Sequence, residues 1–347
     1  MTSGTLPRCL QSLSHLPAAA MKTRVITALF AIFALGSGTG CAILFPGDLL
    51  SSFVLDPDVS CRVLTESLRL GTLPDADTPA DLGMQFEPFT VTSANGQALD
   101  AWFVPAQFDG QLDDTPAGTV LIMHGISGPV ACAMPWAVVA ANNRMNAVLF
   151  DYQGFGESGG SPHIGTLLDD SEAILDWIVA DSSPARRSVH LVGVSLGTSP
   201  ALGLVALRDR PEIRSVALDG SFDPIEIVEP IDAAVGPIFP LFNLSVRLDF
   251  PWLFDMRDRL GSIRVPMLFL HAELDRVTPL AGMQQVFDLS GATDKSLWVF
   301  QGLTHVQPLF MAEDPYVSLL VTFWRDPEGR PDALAADTDP TIRVPQY

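Results

Sequence analysis

A serine flanked by two glycines, in Gly193-Val194-Ser195-Leu196-Gly197, is the strongest chemical signal in this chain. It follows a short apolar run, Val189–Val194, and precedes a helical pattern from Ser199 to Leu207. Glycines at these positions permit a turn so tight that larger side chains would clash, and such a turn between a strand and a helix lifts the serine hydroxyl above the sheet edge. The pattern predicts a nucleophilic serine at 195, and the alternative is a structural serine in a glycine-rich turn.

A serine hydroxyl needs a base to become a nucleophile, and the chain offers six histidines. We favour His305, because it follows the last apolar run in Gly302-Leu303-Thr304-His305. The other five are less suited by position: His15 lies in the leader, His163 in a loop, His190 at the wrong end of a strand, and His124 and His271 end apolar runs where a ring more often supports a loop.

The elements that must position these residues follow a regular rhythm. Phe86–Thr92, Asn95-Gly96 and Leu99–Val104 predict a β-hairpin with an Asn-Gly turn. Continuous apolar runs are typical of strands buried on both faces, and six of them alternate with helical patterns: Thr119–Met123, Ala147–Phe150, Val189–Val194, Ser215–Leu218, Pro266–Leu270 and Leu297–Phe300. The helical pattern between the second and third of these runs has Thr166 as its expected N-cap. The chain is therefore predicted to fold as an α/β protein whose mostly parallel sheet starts with an antiparallel hairpin and carries helices on both faces.

From Phe86 to Trp324 the motifs resemble the α/β-hydrolase superfamily in their order and spacing. His124-Gly125-Ile126-Ser127-Gly128 resembles its H-G-x-x-G loop, and Asp151–Ser158 resembles its D-x-x-G-x-G-x-S turn. The short insert and the segments Val265–Pro279 and Gly302–His305 resemble the group that contains Bem46-like proteins and serine-aminopeptidase-like hydrolases. The resemblance implies an α/β-hydrolase fold.

That resemblance also implies roles for further residues. The order Ser…Asp…His of the family assigns the carboxylate to Asp275, with Glu273 and Asp219 as alternatives. The oxyanion hole would use the backbone N–H groups of Leu196 and Ile126. We expect no cofactor. No metal site is expected either, because the chain has no CxxC and no Cys/His spacing suited to zinc.

The predicted reaction is hydrolysis of a carboxylic ester through an acyl-enzyme, with a small-molecule ester or amide as substrate. The same triad would also serve a peptidase, an amidase or an acyltransferase. A non-catalytic binding module of the cell envelope is the rival class, although a degenerate scaffold has no need to retain all three triad positions.

Residues 1–40 predict a leader and an export signal. Lys22 and Arg24 precede the apolar stretch Val25–Leu35, and small residues then lead to Cys41. This arrangement resembles a bacterial lipoprotein signal, so we expect an exported protein anchored to the membrane of the cell envelope through lipidated Cys41. Ordinary cleavage and a retained anchor are the alternatives. Cys61 and Cys132 could then pair in an oxidising compartment or stay as two buried thiols.

The remaining boundaries follow from composition. Residues 41–83 are predicted to be a tether and packing arm, residues 84–325 one hydrolase domain of about 240 residues, and residues 326–347 a disordered tail. Within the domain, residues 221–262 are rich in Pro, Phe and Leu. They form either an apolar cap over Ser195 or helices that only pack on the sheet.

Charge excludes one class of partner. Twenty basic against 40 acidic residues give a formal net charge of −20. A chain this acidic lacks the basic surface of a nucleic-acid-binding protein. The oligomeric state does not follow from the sequence.

Overall fold

The computed structural model describes residues 51, 55–68, 76–108, 110–224, 250–329 and 331. Their strands, numbered in chain order, are β1 (Glu87–Thr92), β2 (Ala98–Val104), β3 (Gln107–Phe108), β4 (Gln111–Leu112), β5 (Gly118–Met123), β6 (Met145–Phe150), β7 (Val189–Val194), β8 (Ile213–Asp219), β9 (Met267–Ala272) and β10 (Lys295–Phe300). Eight of them form one sheet in the order β1-β2-β6-β5-β7-β8-β9-β10, while β3 and β4 form a separate ribbon.

The sheet is antiparallel at its start and parallel from β6 onwards. β1 pairs with β2 and β2 with β6 in antiparallel register, and all later neighbours are parallel. The predicted hairpin turn is confirmed: Gly96 has a φ of +86°, which glycine adopts readily, and its N–H donates to the carbonyl of Ser93. The fold class predicted from the alternating runs is thereby confirmed.

Eight α-helices are described around the sheet: α1 (Cys61–Leu68), α2 (Met134–Asn142), α3 (Leu167–Ala180), α4 (Thr198–Leu207), α5 (Pro251–Asp258), α6 (Leu280–Leu289), α7 (Pro308–Met311) and α8 (Glu313–Arg325). Helix α3 begins directly after Thr166, its predicted N-cap residue, but the Thr166 side chain makes no capping hydrogen bond. A turn of 3₁₀-helix, Ile164–Thr166, precedes α3, and the Thr166 hydroxyl donates to the carbonyl of His163 instead.

Helices cover both faces of the sheet, and strand β5 shows this residue by residue. Leu121 and Met123 belong to the apolar cluster that contains buried residues of α3 and α4. Val120 and Ile122 point the other way, into the cluster that contains buried residues of α2 and α8. Because successive side chains of a strand point to opposite faces, a strand covered on both sides must be apolar throughout.

The N-terminal arm, defined here as residues 55–68, is joined to the domain covalently. Cys61 and Cys132 form a disulfide with a Cα–Cα distance of 5.0 Å. Of the two alternatives open from the sequence, the structure therefore shows the paired cysteines.

Part of the predicted cap lies outside the described residues, namely 225–249. The described end of that segment, α5, packs on the sheet's own helices: Leu253, Phe254 and Met256 are buried, and the space beside Gly203 of α4 is bounded by the ring of Trp252. The leader with Cys41 and most of the predicted tail also lie outside the described residues. Within the described part of the chain, no helix is long and apolar enough to cross a membrane.

Candidate active site

Ser195 sits at the turn between β7 and α4, as its flanking glycines predicted. Its φ is +52°, a value that non-glycine residues seldom adopt, so the surrounding turn must hold this conformation. A Cβ at Gly193 would lie 2.6 Å from the carbonyl oxygen of Gly197, and a Cβ at Gly197 would collide with the carbonyl oxygen of Met123. Both glycines are thus required by close backbone approach, and the strained serine is presented at the carboxyl edge of the sheet.

His305 reaches Ser195 from the loop that follows β10. Its Nε2 lies 2.9 Å from the Ser195 hydroxyl oxygen, and its Nδ1 lies 2.6 Å from Oδ2 of Asp275. A carboxylate accepts only, so Nδ1 carries the proton and Nε2 is free to accept from the hydroxyl. The structure thus brings together the three residues singled out from the sequence, in one hydrogen-bonded row.

Asp275 is held in place by the turn that follows it. Its Oδ1 accepts the backbone N–H groups of Val277 and Thr278, and its Oδ2 accepts the Thr278 hydroxyl at 2.9 Å. Burial alone would raise the pKa of Asp275. The hydrogen bond and charge of His305 and the bonds from Thr278 outweigh burial and hold that pKa below its ordinary value.

Thr278 is a site residue for which the sequence analysis assigned no role. Its hydroxyl lies 2.9 Å from Asp275 and 3.3 Å from Nδ1 of His305, so it braces both groups. The spacing of three residues from the acid, followed by Pro279 at the start of a helix, is the local signal of such a turn.

The two alternative acids make other contacts. Glu273 is exposed and accepts the backbone N–H of Gly302. Asp219 is fully buried and accepts the Tyr316 hydroxyl at 2.7 Å, and that hydroxyl in turn accepts from Nε1 of Trp136. Burial raises the pKa of Asp219 to about 7, although the Tyr316 bond opposes the shift. Geometry therefore favours Asp275 as the partner of His305.

The loop His124–Gly128, called the oxyanion loop below after the role that the resemblance implies, lies beside Ser195. A Cβ at Gly125 would lie 3.4 Å from the Ser195 Cβ. Ile126 follows Gly125 in that loop and Leu196 follows Ser195 in the chain, so the two backbone groups assigned by resemblance come from different segments.

His124 and Asp151 support this loop from behind. Nδ1 of His124 is 2.9 Å from its neighbour's carbonyl at Gly125, and the ring packs against Tyr152 and Phe155. Asp151 accepts the backbone N–H of Val130 at 2.6 Å. These contacts agree with a supporting role for the Asp151 turn.

The remaining described histidines are buried in the sheet or lie in a loop. His190 contacts the Ser215 hydroxyl across β7 and β8 at 2.7 Å. Among the described residues, no three or more His, Cys, Asp or Glu side chains are grouped as a metal site.

Two family models match this chain. One, described as alpha/beta hydrolase fold, matches residues 118–256, and the other, described as serine aminopeptidase S33, matches residues 253–308. The second segment contains Asp275 and His305.

Relatives and solved structures extend the match. Uncharacterized protein YfhR of Salmonella typhi is 27% identical over 265 residues, which are 73% of this chain and 86% of that protein. Protein bem46 of Schizosaccharomyces pombe is 24% identical over 239 residues, 68% of this chain and 76% of that protein. The esterase Pf2001 of Pyrococcus furiosus superposes with a TM-score of 0.60 at 18% identity, over 80% of this chain and 100% of that one.

The eight-stranded sheet, the strained serine turn and the matching family models show that this chain has the α/β-hydrolase fold. Within that class the matches to the serine aminopeptidase model and to protein bem46 support the Bem46-like group.

Proposed function

We propose that this chain is a serine hydrolase that cleaves carboxylic esters through an acyl-enzyme. The observation that carries the proposal is the unbroken row Asp275–His305–Ser195, with contacts of 2.6 and 2.9 Å, ending on a serine held at a φ of +52°. A nucleophile, a base and a group that orients the base are the three parts that covalent acyl transfer needs.

Each residue then has one task. Oγ of Ser195 attacks the substrate carbonyl carbon while Nε2 of His305 takes the hydroxyl proton. Asp275 keeps the ring oriented and stabilises its charged form. Backbone N–H groups of Leu196 and Ile126 donate to the developing oxyanion. The carbon–oxygen bond to the alcohol breaks as His305 returns the proton to it, and water, activated by the same ring, releases the acid.

Two observations bear on ester against amide substrates. The similar solved structures include esterases from Pyrococcus furiosus and Exiguobacterium antarcticum. The model described as serine aminopeptidase covers the segment with Asp275 and His305, which makes peptide or amide hydrolysis the second candidate. The same chemical steps serve both substrates, since the leaving group alone differs.

The test is labelling of the full chain with a fluorophosphonate, followed by mass spectrometry of the adduct. We expect one adduct, on Ser195, and hydrolysis of p-nitrophenyl esters that falls at least about 10⁴-fold in Ser195→Ala. Aminoacyl p-nitroanilides test the amide alternative, and product analysis with added alcohol or amine tests acyl transfer. A folded chain without label or turnover would contradict the proposal and favour a binding module.

We also propose that the chain is exported and anchored through lipid at Cys41. The disulfide of Cys61 and Cys132 supports export, because disulfides persist mainly in oxidising compartments. In a bacterial host we expect the native chain to incorporate labelled palmitate and to fractionate with membranes. Cys41→Ala should lose the label, and label retained in that variant would contradict the proposal.

A further inference from the structure

The N-terminal arm pairs by main-chain hydrogen bonds with the oxyanion loop. Asp56 N–H donates to the carbonyl of Ile126 at 2.9 Å, and Gly128 N–H donates to the carbonyl of Asp56 at 3.1 Å. Asp56 and Ser127 thus form a parallel β-bridge. The peptide that follows Ile126 cannot rotate without breaking this bridge, so the bridge restrains the residue whose own N–H is assigned to the oxyanion.

The arm is anchored on both sides of the bridge. Leu55, just before it, is buried in the main apolar cluster and its N–H donates to the carbonyl of Ser51. Five residues beyond Asp56, Cys61 is bonded to Cys132, four residues past Gly128. The disulfide therefore closes a small ring that contains both bridging hydrogen bonds.

Gly128, at the end of the oxyanion loop, is closely packed against the arm and the disulfide. Gly128 has a φ of +76°, and a Cβ there would lie 2.6 Å from the Cys132 sulfur and 3.0 Å from the carbonyl oxygen of Val59. Disulfide and arm enclose this end of the loop together. Two backbone hydrogen bonds contribute only about 1 kcal/mol each, so the disulfide holds the arm beside the loop and thereby keeps the hydrogen bonds that position Ile126 formed.

We propose that the arm, held by the Cys61–Cys132 disulfide, is a positioning element for the oxyanion loop, and that releasing it slows catalysis without weakening substrate binding. Asp56 acts through its main chain on Ile126. This inference rests on the proposed function, because the role of Ile126 is defined only for an acyl-transfer site. An oxyanion donor acts in the transition state, so its displacement lowers kcat and leaves KM largely unchanged.

Reduction of the disulfide is the direct test, in a full chain carrying Cys9→Ser and Cys41→Ser so that one cysteine pair remains. A phosphine reductant supplies two electrons, water supplies two protons, and the disulfide yields two thiols that alkylation counts. We expect kcat for a p-nitrophenyl ester to fall about 10- to 100-fold, less than or similar to the loss of a whole oxyanion donor. KM should stay within about threefold, and reoxidation should restore the rate.

A tetrahedral inhibitor provides the readout that a merely structural link would not move. A boronic acid adds to Oγ of Ser195 and mimics the oxyanion, so its affinity should fall in proportion to kcat. Equal kcat and boronate affinity in oxidised and fully reduced chains would overturn the inference. So would a loss that appears as general unfolding by circular dichroism, since the link would then be structural only.

A second variant leaves the disulfide intact. Asp56→Pro removes the N–H that donates to Ile126, and we expect the same selective fall in kcat. Asp58 is an exposed aspartate of the same turn. Asp58→Ala is therefore the matched control, and its kcat should equal that of the wild type. Wild-type kcat in Asp56→Pro would overturn the inference.

The two possible failures are distinguishable. An oxidised wild-type chain that takes no fluorophosphonate on Ser195 overturns the proposed function and this inference with it. A labelled chain whose reduced form reacts equally fast overturns the role of the arm alone.

Discussion

Two buried histidine–aspartate pairs lie at the carboxyl edge of the sheet, and they are built differently. In the first, Nδ1 of His305 is 2.6 Å from Asp275 and Nε2 faces Ser195. In the second, Nε2 of His124 stays 3.9 Å from Asp151, while Nδ1 contacts the carbonyl of Gly125. Residue types and burial are alike in the two pairs, so the partners of each hydrogen bond set the difference.

The electrostatics of the two pairs diverge for the same reason. Bonds from His305 and Thr278 overcome burial and lower the pKa of Asp275. At Asp151 burial dominates and raises the pKa to about 7, in spite of the bond from Val130. Burial also lowers the pKa of His124 to about 4, so its ring stays neutral at pH 7. A pair that orients a catalytic ring needs a hydrogen bond between the ring and its carboxylate. A pair that supports a loop needs only hydrogen bonds from each side chain to the backbone.

The largest expected contrast comes from the two histidines. His305→Ala should lower ester turnover by about 10⁵-fold, because the serine then has no base. His124→Phe keeps the ring packing against Tyr152 and Phe155 and should lower turnover about tenfold or less. Fluorophosphonate labelling rates and kcat measure both variants, with circular dichroism to show that they fold. Similar losses in the two would remove the distinction between the pairs.

The acids give the next largest contrast. Asp275→Asn should lower kcat by about 10⁴-fold, since an amide can favour the wrong tautomer of His305. Glu273→Gln is the matched control, because this exposed acid contacts Gly302 and not His305; its kcat should stay within about twofold. Steady-state measurement of kcat at pH 8 distinguishes the two variants. A larger loss of kcat in Glu273→Gln than in Asp275→Asn would make Glu273 the acid that orients His305.

The smallest expected effect is on the free energy of unfolding, whose dependence on pH has opposite signs at Asp275 and Asp151. A carboxyl with a lowered pKa stabilises the fold above its unfolded pKa near 4, so Asp275→Asn should cost most at neutral pH and least in acid. A raised pKa does the reverse: the wild type loses stability as pH rises from about 4 to about 7 through Asp151.

As the pH rises from 4 to 8, the free energy of unfolding of Asp151→Asn should therefore increase relative to that of the wild type. The expected increase is a few kcal/mol, at about 1.4 kcal/mol for each pKa unit. Urea denaturation at a series of pH values measures both variants. The same pH slope in Asp151→Asn and Asp275→Asn would contradict the assignment of opposite shifts.

Much of the fold was predictable because its signals are local. Each of the six apolar runs corresponds to a strand with a parallel neighbour, and every residue of β5, β6, β7 and β9 is buried because these strands are covered on both faces. The glycines around Ser195 were informative for a similar reason: the clash they avoid involves neighbours within a few residues. Thr166 occupies the predicted N-cap position of α3, but its hydroxyl does not cap the helix because it donates to the carbonyl of His163 in the preceding 3₁₀ turn.

Local patterns in the chain were enough to predict the strands, the hairpin turn, the serine turn and a short set of acids and histidines that follow strands. Contacts between distant segments became visible in the folded chain alone: Asp275 meets His305, and Thr278 contacts both. Cys61 meets Cys132 across a separation of 71 residues, and Asp56 pairs with the oxyanion loop. Local patterns record backbone sterics and burial over a few residues. Contacts between distant segments depend on the order in which strands pair. No single stretch of the chain specifies the order β2-β6-β5-β7.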